Sequence, residues 1–378
     1  MTDPPSPEYL FVQKDADFNR LIPSLQQQAA IGVDLEADSM FHYQEKICLI
    51  QIAAKRLNLL IDPLSVRDLS PLAPLFADRG IRKVFHGADY DIRSLYRDFG
   101  IEVHSMFDTQ IAARFLGIRE ISLANLLHAY FHIESNKKYQ KKDWSRRPLP
   151  EPMLAYAVQD ICHLLPLARI LENKLKQKDR FFCVEEECEI LTRVRPNSTR
   201  TGPFFEGFNG AAKLDPRSLA VLENLLRFRD NMARRRDRPH FKVLGNQPVL
   251  ELARRKPVSK KDLRGIKGLS ARQIDQMGES LIREVKKALA PPDSALPAYP
   301  KKARHGLKSE EARRMAALKN WRDRKAEEWQ VDPAVICTNA QIREIAIANP
   351  QRPQDLKVID AIRNWQVRLF GLEICQAI

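Results

Sequence analysis

The sequence predicts an α/β domain on a mixed sheet followed by two small all-helical domains, and three observations carry that prediction. Short apolar runs at 29–37, 46–54, 57–62 and 82–87 give way to helical periodicity in the first half of the chain. Six residues between 246 and 266 recur, identical or conservatively replaced, 93 positions further on. The basic excess lies wholly in the second half: residues 1–210 hold 27 Lys/Arg against 28 Asp/Glu, net −1, whereas 211–378 hold 35 against 20, net +15.

The runs AAIGVDLEA, KICLIQIAA, LNLLID and RKVFHG have strand length and are rich in Val, Ile and Leu. ADYDIRSLYRDFG (88–100), DTQIAARFLG (108–117) and SLANLLHAYF (122–131) read as helices, and one long helix is expected from about Glu151 to Lys178. A strand meander followed by strand–helix alternation gives a mixed sheet. Pro-, Gly- and Ser-rich stretches at 195–213 and 290–308 read as extended linkers. They set expected domain limits of 1–195, 212–290 and 308–378. Asn246, Pro257, Asp262, Leu263, Arg264 and Ile266 have counterparts in Asn339, Pro350, Asp355, Leu356, Lys357 and Ile359. Two copies at so long a period fit two small helical domains of one type better than a solenoid. Leu222, Leu225, Leu226, Met315, Leu318 and Trp321 fall at helical spacing and are expected in their cores.

At 378 residues and 44% hydrophobic content the chain can bury several cores. The six cysteines form no CxxC pair and no zinc-spaced cluster, as expected of scattered thiols in a reducing compartment. No secretory signal and no run of about 20 apolar residues is present, so a cytoplasmic protein without membrane contact is expected. GxxxxGK and GxGxxG are absent, and no small-molecule cofactor is expected. A basic half joined to a neutral half points to a polyanion-binding module attached to something else.

Asp34 and Glu36 in VDLEA are two apart at a strand end, so both project from one face of the sheet. Adjacent carboxylates repel, and a hard divalent cation such as Mg²⁺ or Mn²⁺ relieves the repulsion. VFHGADYDIRSL runs from strand through turn into helix, with Asp91 in the first helical turn and Asp89 as the expected cap. In EPMLAYAVQDICHLL, Tyr156 and Asp160 are spaced i, i+4 and share a helix face. His86 is expected to be a strand-end histidine satisfied by its neighbours.

The order and spacing of these three elements resemble the DEDD exonuclease superfamily, in the branch whose third motif is Tyr-x3-Asp. DWSRRPL (143–149), FDTQIAARFLG and CLIQIA are similar to runs of the ribonuclease D family, and the helical repeat resembles the HRDC domain. The resemblance implies a ribonuclease H-like nuclease domain followed by two HRDC-like domains. It implies a 3′→5′ exoribonuclease, active on tRNA precursors or other structured RNA with free 3′ ends and using two divalent ions. Asp34 is then the bridging ligand, Glu36 and Asp160 complete one site, Asp91 helps hold the other ion, and Tyr156 positions or deprotonates the attacking water. The product is a nucleoside 5′-monophosphate. A monomer is expected.

KKYQKKDWSRR (137–147) interleaves basic and aromatic residues, making Lys141, Lys142, Arg146 and Arg147 candidate backbone contacts, with Trp144 expected to be structural. The run at 233–238, which includes Arg234, Arg235 and Arg236, and the basic stretch 254–264 are the stronger RNA-docking candidates. The carboxylates do not distinguish RNA from DNA. A non-catalytic nucleic-acid adaptor is disfavoured by the complete set of four carboxylates and the tyrosine.

Overall fold

A computed structural model describes residues 8–55, 57–134, 138–196, 201–300 and 307–378. Of these described residues, one unit contains 8–37, 47–55, 57–134, 138–196 and 307–378, and the other contains 38–46 and 201–300.

In the first unit, strands β1 (Leu10–Val12), β2 (Ala30–Ala37), β3 (Ile47–Ala54), β4 (Leu57–Ile61), β5 (Arg82–Phe85) and β6 (Met106–Asp108) form one sheet in the order β1-β4-β3-β2-β5-β6. The β2–β3 and β3–β4 pairs are antiparallel, and the β1–β4, β2–β5 and β5–β6 pairs are parallel. Along β2, alternation sends Ile31, Val33 and Leu35 into the core and leaves Gly32, Asp34 and Glu36 on the opposite face. Around the sheet lie α1 (Asp15–Gln26), α2 (Leu72–Ala77), α3 (Asp89–Phe99), α4 (Thr109–Phe115), α5 (Leu123–Phe131), α6 (Glu151–Cys162), α7 (Leu164–Gln177) and α8 (Phe181–Leu191).

The long helix expected over 151–178 is instead α6 and α7, broken at His163. Pro166 has no N–H to give the Cys162 carbonyl, and its ring crowds that carbonyl, so the helix turns there. This 151–177 segment has the length and hydropathy to cross a bilayer, but it packs as a core element, with Ala157, Ile161, Leu164, Leu167 and Leu171 all buried.

The helical repeat is exact in its frame. The second unit carries α9 (Pro216–Arg236), α10 (His240–Val243), α11 (Asn246–Arg255), α12 (Lys260–Leu263) and α13 (Ala271–Leu289). In the first unit, α14 (Ser309–Trp329), α15 (Pro333–Ile336) and α16 (Asn339–Ala348) begin and end 93 positions after α9, α10 and α11, and α17 (Asn364–Gln376) begins 93 after α13. The recurring residues have matching jobs. Arg229 donates to Asn246 Oδ1 at 2.7 Å, and Arg322 donates to Asn339 Oδ1 at 2.9 Å. Leu263 and Leu356 are fully buried, and the left-handed caps at Lys256 and Asn349 close equivalent helices. Leu222, Leu225, Leu226, Leu318 and Trp321 are buried as expected, and Met315 is partly so.

The copies differ in what they pack against. The C-terminal copy shares a core with the sheet domain. Glu186 on α8 accepts from the backbone N–H groups of Asn364 (2.7 Å) and Trp365 (2.8 Å), capping the free donors at the start of α17. Glu187 accepts from Trp365 Nε1 at 2.9 Å and pairs with Arg363 at 3.2 Å. Gly117, at φ 77°, makes this approach possible, because a Cβ there would lie 1.9 Å from the Gln330 carbonyl oxygen.

The first expected linker corrects to a packed segment where it is described, whereas the described part of the second, 290–300, is largely exposed and is held at a few points; 197–200 and 301–306 lie outside the described residues. Phe205 is buried in the core of the first helical copy and its ring meets Tyr299 at 6.0 Å. Arg217 donates to the Pro291 carbonyl at 2.6 Å. The aromatic side chains in PFFEGF outweigh the Gly and Pro that suggested an extended chain.

Candidate active site

The first two carboxylates stand on β2 and the third on α6, and the approach of the helix depends on Gly32. A Cβ at Gly32 would lie 3.2 Å from Leu164 Cβ, so its absence lets the α6–α7 bend settle on the strand. Ligand oxygens of Asp34, Glu36 and Asp160 then all fall within 4.8 Å of one another. Asp91, in the first turn of α3, is buried and interacts electrostatically with Asp34 and Glu36, but it stands outside that close group of three.

Burial holds the Asp34 and Glu36 carboxyls well above the usual carboxylate range. Repulsion adds to it, from Asp91 and then Asp160 on Asp34, and from Asp34, Asp160 and Asp91 on Glu36. Burial, then Asp108 and Asp89, pushes Asp91 up to about 7. Burial pushes Asp160 up to about 6 against an opposing hydrogen bond donated by Tyr156. The Tyr156 phenol is itself pushed far above its ordinary value, by burial first and then by Asp160 and Glu36. Crowded, desolvated carboxylates with few donors are an oxygen-rich set suited to hard divalent cations, which would neutralise the repulsion. The residues present therefore fit a divalent metal site.

Asp89 is not the helix cap. Its carboxylate pairs with Arg93 at 2.8 Å, and α3 has no side-chain cap. Asp108, which was not singled out in the sequence, orders this turn. It is fully buried and accepts from the backbone N–H groups of Gly87 (3.0 Å), Ala88 (2.8 Å), Gln110 (2.7 Å) and Ile111 (3.2 Å). One carboxylate thus caps α4 and pins the β5–α3 turn that presents Asp91. A hint lay in the FDT sequence, where an aspartate precedes a helix-forming run. His86 accepts or donates at Nδ1 with Thr109 Oγ1 at 2.9 Å, and burial holds its ring below the usual imidazole range.

The basic candidates separate on inspection. Lys141, Lys142 and Arg146 are exposed, Arg146 pairing with Asp143 at 3.1 Å. Lys137 lies outside the described residues. Arg147 corrects to a structural residue. Its guanidinium grips the buried Asp62 through two bonds of 2.7 and 2.6 Å and donates to the Cys48, Trp144 and Arg146 carbonyls, so its N–H donors are already engaged. Trp144 is buried, with its ring 6.2 Å from that of Tyr156. Arg234, Arg235 and Arg236 are exposed in the last turn of α9, Arg234 bonding Tyr43 and Asp230. Residues 212–290 hold 20 Lys/Arg against 9 Asp/Glu, net +11, while 308–378 hold 12 against 10, net +2. The basic excess thus concentrates in the first helical copy.

The family model for a 3′-5′ exonuclease matches residues 9–176, and the HRDC domain model matches 218–285 and 311–378. Ribonuclease D of Pseudomonas paraeruginosa is 28% identical over 99% of this chain and 98% of its own length. Ribonuclease D of Desulfotalea psychrophila is 29% identical over 87% of this chain and 88% of its own. Among solved structures, Escherichia coli RNase D, an exoribonuclease involved in structured RNA processing, is similar over 98% of both chains at 25% identity and a TM-score of 0.73. The catalytic core of RRP6 from Trypanosoma brucei is 30% identical over 76% of this chain and 82% of its own, with a TM-score of 0.66.

Proposed function

The chain belongs to the ribonuclease D family of 3′→5′ exoribonucleases with HRDC domains, and from that premise we propose that it trims the 3′ ends of structured RNAs, tRNA precursors among them, at the Asp34–Glu36–Asp91–Asp160 site. The convergence of three carboxylates within 4.8 Å, with Tyr156 one helical turn from Asp160, carries this reading.

The chemistry supplied by two bound divalent ions, Mg²⁺ or Mn²⁺, is charge stabilisation of the attacking and leaving oxygens. Asp34, Glu36 and Asp160 would hold one ion, and Asp34 with Asp91 would hold the second. The Tyr156 hydroxyl keeps its proton at neutral pH, because burial and the neighbouring carboxylates oppose a phenolate. Its role is to position the attacking water. Attack at phosphorus breaks the bond to the 3′-oxygen of the preceding nucleotide, which takes up a proton, and a nucleoside 5′-monophosphate leaves. Arg234, Arg235 and Arg236, with the +11 charge of their domain, contact the RNA backbone, as do Lys141, Lys142 and Arg146. The domain limits that go with this division of labour are 1–195, 212–290 and 308–378.

End-labelled RNA and DNA with free or blocked 3′ ends, incubated with and without Mg²⁺, test the reading. Mononucleotide release from free-ended RNA in Mg²⁺ alone is expected. Equal cleavage of blocked ends, or cleavage in chelator, overturns it.

A further inference from the structure

Gln51 on β3 stands directly opposite Asp34 in the antiparallel register. Residues so paired project to the same face with Cβ atoms about 5 Å apart, so the carboxamide shares the catalytic face. Leu49 and Ala53 along β3 and Leu60 across on β4 are apolar neighbours on that face, and Glu36 lies on the diagonal on β2. The side chain is 0% exposed, and neither Oε1 nor Nε2 has a hydrogen-bond partner among the described residues. A buried carboxamide with donor and acceptor both unmet is unfavourable, and Leu or Met would fill the space without that cost. Such a group is expected where another state of the site satisfies it. Asp34 takes a backbone hydrogen bond from Leu35 and retains acceptor capacity on its carboxylate.

We propose that Gln51 is a positioning residue, whose Nε2–H donates to the Asp34 carboxylate when that carboxylate holds a divalent cation and so fixes its orientation. The proposal rests on the metal-dependent reading of the site. Gln51 acts through Asp34 and touches neither the substrate nor the reacting atoms. Groups that orient metal ligands change metal affinity by about 10- to 100-fold when removed.

The test uses the full chain with Gln51→Met and Gln51→Leu, read by Mn²⁺ titration calorimetry and by melting temperature without metal. Both variants are expected to melt without metal at or above the wild-type temperature and to bind Mn²⁺ about 10- to 100-fold more weakly. Turnover lost at low Mn²⁺ returns as Mn²⁺ is raised. Unchanged Mn²⁺ affinity overturns the assignment and leaves Gln51 a packing residue. A metal-free melting temperature lowered in both variants also overturns it, because the carboxamide would then be satisfied within the fold. Wild-type chain that takes up no Mn²⁺ sinks the metal reading itself, an outcome distinct from the other two.

Discussion

Tyr156 stands one helical turn before Asp160 on α6, and each shifts the other's ionisation, Asp160 raising the phenol and Tyr156 lowering the carboxyl. The pairing keeps the phenol protonated beside the three close carboxylates, so the tyrosine remains a donor.

Tyr156→Phe is expected to lower kcat by roughly 100-fold, the range of one positioned acid–base group, while Mn²⁺ affinity stays close to wild type. Single-turnover kinetics beside metal titration checks this. Unchanged turnover removes Tyr156 from the mechanism.

Asp34→Asn and Asp160→Asn are each expected to abolish hydrolysis while keeping the fold, as read by circular dichroism. Each also removes a source of repulsion, so metal-free melting is expected at or above the wild-type temperature. Near-normal activity in either folded variant refutes the site.

The carboxyls also set a pH dependence. In the metal-free fold Asp91 is pushed up to about 7 and Asp160 to about 6, above the value of about 3.9 expected of an unfolded Asp. Over that interval the folded state binds more protons than the unfolded one, so stability falls as pH rises through 6 and 7. Divalent metal relieves the same repulsion. The Mn²⁺-induced rise in melting temperature is therefore expected to be small at pH 5.5 and larger at pH 8. Equal rises would count against these groups as ligands.

The two helical copies are expected to fail differently. Deleting 307–378 strips the capping partners from Glu186 and Glu187 and is expected to lower the melting temperature, leaving the salt slope of RNA binding unchanged. Replacing the exposed Arg235 and Arg236 by Gln should leave melting unchanged and reduce the slope of log affinity against log salt by about 0.9 per lost duplex contact. Filter binding in Ca²⁺ across several salt concentrations measures both. Swapped outcomes would reverse the roles.

Arg147→Ala is expected to destabilise the protein by about 3–5 kcal/mol, the cost of orphaning a buried charge partner, here Asp62 at 0% exposure. RNA affinity of the folded fraction should be unaffected, and urea unfolding with binding at low temperature separates the two.

Much of this was legible in the residues because it rests on local periodicity. Strand alternation in β2 places Asp34 and Glu36 together, i, i+4 spacing pairs Tyr156 with Asp160, and the repeat at 93 anticipates helix boundaries to the residue. Long-range partnership was not legible. Asp108 serves Gly87 and Ala88 from 20 or more positions away, so Asp89 looked the natural cap. Arg147 reads as a loop cation until Asp62 is brought to it from 85 positions away. Pro166 was visible, but a continuous apolar pattern on both sides of it concealed the bend between α6 and α7.

The seam that Glu186 and Trp365 close has a bearing on the cell's inspection of new chains. A product cut short before residue 307 lacks the Trp365 ring that faces Phe115 at 5.4 Å and leaves the apolar surface around it uncovered. Chaperones and proteases recognise such a surface. Chains lacking residues 307–378 are therefore expected to be cleared faster than chains that retain them, which pulse-chase turnover of the two checks.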